Sequence, residues 1–398
     1  MLHCESKENN GRTNSTGVTV SMRFVASRNS LLSALGHITG IVERRNTIPI
    51  LSNILIEAVA GAGATGQLML KATDLDMEAI ENIPANVTAP GAVTVPAHTL
   101  HDIVRKLPDG AEISIERKEP EGRLKVTAGR ASFELAILPA DEFPDMGQTE
   151  LPHSFALEGS ELKRLFEKSR FAISTEETRY YLNGIYLHRV EGGPLPRLRA
   201  VATDGHRLAQ VETEASAGTE GMPGVIVPRK AVAEIIKLLD DGKVQVNVSL
   251  SPAKIRFQVG DVVLTSKLID GSFPDYGRVI PANNKKVLVL ETAGLVKAVD
   301  RVSTLSSEKG RAVKLNASDG VVIVSANNPD SGSATEEITA DYKHETMEIG
   351  FNARYLLDIA GQIDGPRAVF KLADGSSPTL VADESDSTAL YVLMPMRV

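Results

Sequence analysis

Apolar positions recur at helical spacing three times along the chain. Leu100, Ile103, Val104 and Leu107 fall at i, i+3, i+4, i+7, and the spacing returns at Val232, Ile235, Ile236, Leu239 and at Leu356, Ile359, Ala360, Ile363. This is the mark of helices with one buried face. Each predicted helix follows a short β-like run, Ala92–Val95, Val225–Val227 or Met347–Phe351, and precedes an Asp-Gly pair at Gly110, Gly242 or Gly365, read as a helix stop. An earlier helix opens each repeat, on Leu31, Leu35 and Ile38, on Leu162, Leu165 and Phe166, and on Leu295, Val299 and Val302, with Ser30, Ser160 and Thr292 as candidate caps.

Between the two helices of each repeat the pattern switches to alternation. The predicted strands are Asn53–Ala58 with Gln67–Ala72, Gly184–Arg189 with Arg197–Ala202, and Ala312–Asn316 with Val321–Ser325. The Thr73-Asp74 and Thr203-Asp204 turns stand about 130 residues apart, as do Phe143-Pro144-Asp145 and Phe273-Pro274-Asp275, so each unit has an ordinary domain length. In the last repeat the corresponding strand is Tyr391–Met396. The expectation is an α+β fold of three tandem copies of one domain, two helices packed on antiparallel sheets, over 22–147, 150–282 and 285–398. Residues 1–21, rich in Asn, Ser, Thr and Gly, read as a flexible extension.

Composition narrows the function. The 398 residues carry 43 Lys and Arg against 51 Asp and Glu, a formal charge of −8, so bulk electrostatics does not drive nucleic-acid binding and any such role is local or topological. The one cysteine, Cys4, excludes an internal disulfide framework and any cysteine-built zinc site. No apolar run reaches the roughly 18 residues that a membrane helix needs, and the expected location is the cytoplasm. Positive charge gathers on the predicted helices, at Arg28, Arg105, Lys106, Lys163, Arg164, Lys168, Arg170, Arg229, Lys230, Lys237, Lys297, Arg301 and Arg354. That is either an ordinary solvated face or a local electropositive surface.

Catalytic signals are weak. Gly61-Ala62-Gly63-Ala64-Thr65-Gly66 matches the dinucleotide fingerprint, but the strand-like Gln67-Leu68-Met69-Leu70 follows where a helix is required, so a hairpin loop is the better reading. His98 and His101 have no third ligand nearby and read as a helix face, with no metal or other cofactor expected. In Thr203-Asp204-Gly205-His206-Arg207-Leu208, the His206 and Asp204 pair lacks a partner nucleophile, and a binding surface fits better than catalysis.

Arg179-Tyr180-Tyr181-Leu182-Asn183-Gly184, Ala202–Leu208, Val227-Pro228-Arg229-Lys230, Phe273-Pro274-Asp275-Tyr276 and Tyr391–Arg397 together resemble the bacterial sliding clamp family, the β subunit of DNA polymerase III. The resemblance runs from Met22 to Val398. It implies a head-to-tail homodimer forming a six-domain ring, helices lining the hole, that encircles duplex DNA and holds it by enclosure rather than affinity. It implies a non-enzymatic processivity factor whose partners are duplex DNA, the DNA polymerase III alpha subunit, the clamp loader and other proteins carrying clamp-binding peptides.

The resemblance places the peptide groove at Leu182, Thr203, Gly205, His206, Arg207, Leu208, Pro274, Arg278, Val279, Asn352, Tyr355, Val392, Met394, Pro395 and Met396. Aliphatic side chains and adaptable Met suit varied apolar anchors. It places DNA contacts at Arg45, Tyr180 and Tyr181, and a dimer seam at Arg130, Phe133, Leu305, Glu336 and Glu337. Glu176 stands where some relatives have Gln, and Gly277 where some carry a basic residue. Two rivals are a nucleotide-dependent enzyme built on Gly61–Gly66 and His206, and a monomeric peptide-binding scaffold; cofactor titration and light scattering distinguish them from the clamp.

Overall fold

The structure, a computed structural model, describes residues 19–61, 65–119, 122–147, 149–239, 243–306 and 311–397. Residues 1–18 of the expected extension, Ala62–Ala64 of the glycine-rich loop, and Gly242 lie outside the described residues, while 19–21, expected in the extension, instead open a strand.

In chain order the elements begin β1 (Thr19–Ser27), α1 (Arg28–Ile38), β2 (Asn53–Ala60), β3 (Thr65–Thr73), β4 (Met77–Ala89), β5 (Gly91–Pro96), α2 (Ala97–Lys106), β6 (Glu112–Glu119), β7 (Arg123–Ala128) and β8 (Ala131–Ala136). There follow β9 (His153–Glu158), α3 (Gly159–Arg170), β10 (Gly184–Val190), β11 (Arg197–Thr203), β12 (Arg207–Glu214), β13 (Val225–Pro228), α4 (Arg229–Leu238), β14 (Gln245–Leu250), β15 (Lys254–Val259) and β16 (Val262–Lys267). The remainder is β17 (Lys286–Glu291), α5 (Thr292–Ser303), β18 (Ala312–Ser318), β19 (Val321–Asn328), β20 (Gly332–Tyr342), β21 (Met347–Asn352), α6 (Ala353–Ala360), β22 (Arg367–Leu372), β23 (Thr379–Asp383) and β24 (Asp386–Leu393).

The chain divides into two compact units. The first is residues 1–151, 237–249 and 254–267; the second is 152–236, 250–253 and 268–398. In the first unit the strand order is β8-β7-β6-β1-β4-β16-β15-β14, with β3 pairing β4 and β2, and β2 pairing β5. In the second the order is β13-β10-β11-β12-β24-β23-β22-β17-β20-β19-β18-β21. Thus β24 enters between β12 and β23, although β12 precedes it by more than 170 residues.

Helices α1, α3 and α5 bury the same stripe. Leu31, Ala34, Leu35 and Ile38 are matched by Leu162, Leu165, Phe166 and Ser169, and by Leu295, Ala298, Val299 and Val302. All lie at i, i+3, i+4, i+7, which puts them on one face of a 3.6-residue helix. Burying each large aliphatic side chain contributes about 1.5–3 kcal/mol.

Two expectations about helix ends are corrected. Ser30, Ser160 and Thr292 are not the caps, because each of these helices starts directly from the last residue of a strand: Ser27, Glu158 and Glu291 hold the cap positions. Ser27 Oγ accepts from the Ser30 amide at 3.1 Å, and Thr292 Oγ1 donates to the Gly365 carbonyl at 3.0 Å. Gly365 does not stop α6 either. That helix ends at Ala360 with Gly361 as its cap, and Gly365 is there because a Cβ would lie 2.3 Å from Asp383 Oδ1. The predicted strand Tyr391–Met396 ends at Leu393, leaving Met394–Met396 outside the ladder.

The flanks of the glycine-rich loop are strands. Gly61 donates to the Thr65 carbonyl at 2.8 Å and Gly66 pairs with Ala60 across the β2–β3 hairpin. The helix that a pyrophosphate site requires is absent there. His98 Nε2 bonds the Val42 carbonyl at 2.8 Å, so this imidazole fixes a loop.

Candidate functional site

The turn joining β11 to β12 is built by its own short polar side chains. Asp204 Oδ1 accepts the amides of His206 and Arg207 at 2.9 and 3.0 Å; Thr203 Oγ1 accepts from Gly205 at 3.1 Å and donates to the Arg207 carbonyl at 2.8 Å. Such side-chain bonds replace ladder bonds where the chain reverses. Gly205 takes φ +88°, and a Cβ there would meet Arg179 Nη1 at 2.7 Å. Arg179 is held beneath the turn by Glu176, whose Oε2 accepts from Nε at 2.8 Å. That pair holds the Glu176 carboxyl below the usual carboxylate range.

Arg207 is buried and spent. Its guanidinium donates to Asp204 at 3.1 Å and to the Phe171 carbonyl at 2.7 Å, pairs with Asp358 on α6, and lies 4.3 Å over the Tyr355 ring. It ties the end of α3, the turn and α6 together. Asn352 caps α6, its Oδ1 accepting from Arg354 and Tyr355 at 3.0 and 3.3 Å, and the exposed His206 ring sits 6.1 Å from that of Tyr355. Beside them lies a cavity of about 430 Å³ lined by Arg170, Glu176, Asp204, His206, Arg229 and Tyr355 among others.

Below the turn the surface becomes apolar. Val201, Leu208 and Val392 form a buried cluster, with Tyr186, Phe273, Tyr276 and Ile280 packed against it. Leu182 is also buried. Met394 follows β24, donates its amide to the His206 carbonyl at 2.9 Å, and leaves its side chain 39% exposed. Met396 donates to the Gly350 carbonyl at 2.9 Å, which ties down the tail on both sides of Pro395. Pro274 and Val279 are exposed, and Arg278 pairs with Asp275 at 2.8 Å. In the second unit Leu208, Val392, Met394 and Tyr355 thus lie around the Thr203–Arg207 turn, and Met394, Val279 and His206 are exposed.

Sequence reasoning missed what holds the Phe273–Ile280 segment. Tyr186 stacks between His188 at 4.5 Å and Phe273 at 5.0 Å between ring centroids. The Tyr276 hydroxyl donates to His188 Nε2 at 2.9 Å and accepts from Arg199 Nη1 at 2.7 Å. Burial pushes His188 down to about 4, so it is neutral near pH 7; Nδ1–H donates to the Arg189 carbonyl at 3.2 Å and Nε2 is free to accept. A signal existed. Tyr186 and His188 share a face of β10, and His188 stands opposite Arg199 in the β10–β11 register.

Tyr180 is 55% exposed and packs edge-on against Tyr181 at 5.8 Å. Arg45 is exposed in the first unit. Arg130 and the half-buried Phe133 lie at edge strand β8, Leu305 follows α5, Glu336 pairs with Arg301, and Glu337 is exposed on β20. Helix charge is less available than its distribution implies. Arg28 pairs with Asp109, Arg164 with Asp386 at 2.7 Å, and Lys168 with Asp364 at 2.8 Å. Arg170, Arg229, Lys297 and Arg354 remain exposed.

Sequence models of the DNA polymerase III beta subunit match in series: the N-terminal domain over residues 22–147, the central domain over 156–275 and the C-terminal domain over 277–397. The beta sliding clamp of Caulobacter vibrioides is 53% identical over 377 residues, covering 95% of this chain and 100% of that protein. That of Escherichia coli K12 is 39% identical over 380 residues, with the same coverage. The crystal structure of a sliding clamp (DNA polymerase III subunit beta) from Bartonella birtlesii bound to griselimycin superposes with a TM-score of 0.90 at 50% identity, over 95% of this chain and 100% of that one. With three family domains in tandem and relatives matched along their whole length, the chain belongs to the bacterial DNA polymerase III beta subunit, or beta sliding clamp, family.

Proposed function

We propose that this chain is a DNA polymerase processivity factor: two copies close into a ring around duplex DNA and tether replication proteins by peptides seated in the second-unit groove. The observation that carries the groove is the Thr203–Leu208 turn, whose apolar floor of Val201, Leu208 and Val392 is roofed by the tethered Met394 tail. Aliphatic and thioether walls with a glycine at the point of closest approach suit an extended peptide with apolar anchors. Leu182, Pro274, Val279, Val392, Met394, Pro395 and Met396 would contact the anchors; His206, Asn352 and Tyr355 would meet the peptide's polar atoms; Arg207 would hold the groove's shape.

The chain has the role of an accessory subunit without a reaction of its own, acting in the cytoplasm on the DNA polymerase III alpha subunit and the clamp loader. Its three domains span 22–147, 150–282 and 285–398. Two free strand edges support the dimer. Among the described residues β8 ends its sheet, and residues 332–339 of β20 pair with β19 alone, whereas 340–342 pair with β17. Unpaired ladder groups are a ready template for another chain. Phe133 and Arg130 would meet Leu305 and the Glu336–Glu337 pair there. Arg45, Tyr180 and Tyr181 would touch DNA phosphates and sugars.

The test is topological. Protein loaded onto nicked circular DNA by a clamp loader is expected to stay until the circle is cut, then to leave from the ends. Retention on the linear product overturns the ring.

A further inference from the structure

The turn that builds the groove has a twin in the first unit. Asp74 Oδ1 accepts the amides of Asp76 and Met77 at 3.0 and 2.7 Å; Thr73 Oγ1 accepts from Leu75 at 3.0 Å and donates to the Met77 carbonyl at 2.9 Å. Leu75 takes φ +78°, the position and conformation of Gly205. The ladders also correspond. Thr73 pairs Glu78 as Thr203 pairs Leu208; Thr265 faces Glu78 as Val392 faces Leu208. Lys267, the last residue of β16 and one beyond its pairing with β4, donates its amide to the Asp76 carbonyl at 2.8 Å, as Met394 does to His206.

The backbone is duplicated, but the chemistry is inverted. The counterparts of Val201, Leu208 and Val392 are Lys71, Glu78 and Thr265, all buried. Lys71 Nζ is 2.7 Å from Glu78 Oε2 and 3.5 Å from Asp145, the counterpart of Asp275. At the mouth, Lys267 pairs with Asp76 at 3.0 Å where the groove has Met394 and His206. Leu75 adds a 41% exposed side chain where Gly205 leaves none.

We propose that the Thr73–Glu78 junction is an occluded copy of the peptide groove, and that the Lys71–Glu78 pair excludes apolar anchors from it, so that each chain captures one peptide. An apolar anchor entering there would strip water and partner from a buried charge, which burial without a counter-ion strongly disfavours. Backbone shape alone then leaves two equivalent seats, and floor chemistry decides between them. The inference rests on the peptide reading of the second-unit groove.

The experiment is calorimetric titration of the full-length protein with an acetylated hexapeptide carrying leucine and phenylalanine anchors. The unaltered protein is expected to take one equivalent per chain, falling to none when Met394–Val398 is deleted. The floor variant K71V/E78L/T265V with Leu75→Gly is expected to take two, one of which survives the deletion. Replacing a buried ion pair by apolar side chains of similar volume is often neutral or stabilising; should this variant fail to fold, K71M/E78M takes its place. A folded floor variant that stays at one equivalent overturns the proposal, as does an unaltered protein that keeps an equivalent after the deletion. Zero equivalents in the unaltered protein overturns instead the groove reading beneath it.

Discussion

Single residues carry opposite pH dependences in the two units. His188 is depressed to about 4 by burial, so the unfolded chain takes up its proton first; the contribution is complete above 6.5 and is lost as pH falls towards 4. The loss reaches on the order of 3 kcal/mol, because the buried imidazole stays neutral while the unfolded ring gains a proton. His37 is raised by its hydrogen bond to Glu81, so its contribution is present below 6.5 and fades as pH rises through the shifted value. Urea unfolding at pH 7.5 and 5.0, read by labels in each unit, is expected to show the second unit weakened in acid and the first not, with His188→Gln flattening the second. Arg207→Ala leaves Asp358 and Asp204 facing each other without a cation and is expected to cost roughly 3 kcal/mol, read in a denaturant midpoint, with loss of peptide capture. Arg207→Lys should not rescue, since an ammonium cannot stack on Tyr355 while reaching two carboxylates and a carbonyl. The turn residues were legible in sequence because their bonds span two to four positions. The Tyr276–His188 bond was not, because its partners are 88 residues apart.

At the scale of elements, periodicity located the α-helices of the described residues, and the buried stripes of α1, α3 and α5 repeat position for position. Their starts were misplaced because each helix begins from the strand-end residue Ser27, Glu158 or Glu291, one to three positions before the expected Ser or Thr. Edge strands were invisible for a related reason: alternation shows a strand but not which side lacks a neighbour. Phe133→Asp puts a charge on β8 at the proposed seam and is expected to raise the dimer dissociation constant about 100-fold, the equivalent of losing one buried aromatic, read by analytical ultracentrifugation. Deleting Met394–Val398 removes the tail that follows β24 without touching β8 or β20. It is expected to abolish peptide capture while sedimentation still reports a dimer.

For the whole molecule, the threefold repeat was readable because one pattern returns every 130 residues or so, while the pairing of β24 with β12 was not, since nothing local marks strands so far apart as neighbours. With a formal charge of −8, a ring held by enclosure is expected to remain on closed circles as salt rises from 50 to 500 mM, whereas release from linear DNA stays complete; gel filtration of the loaded circles reads this directly. The late insertion of β24 also bears on synthesis. A ribosome that has finished β12 must still make β13 to β23 before the strand that covers its flank emerges, and Met394 comes later still. Prematurely terminated chains would thus lack Val392 from the floor and Met394 from the roof, and would present an unfinished groove.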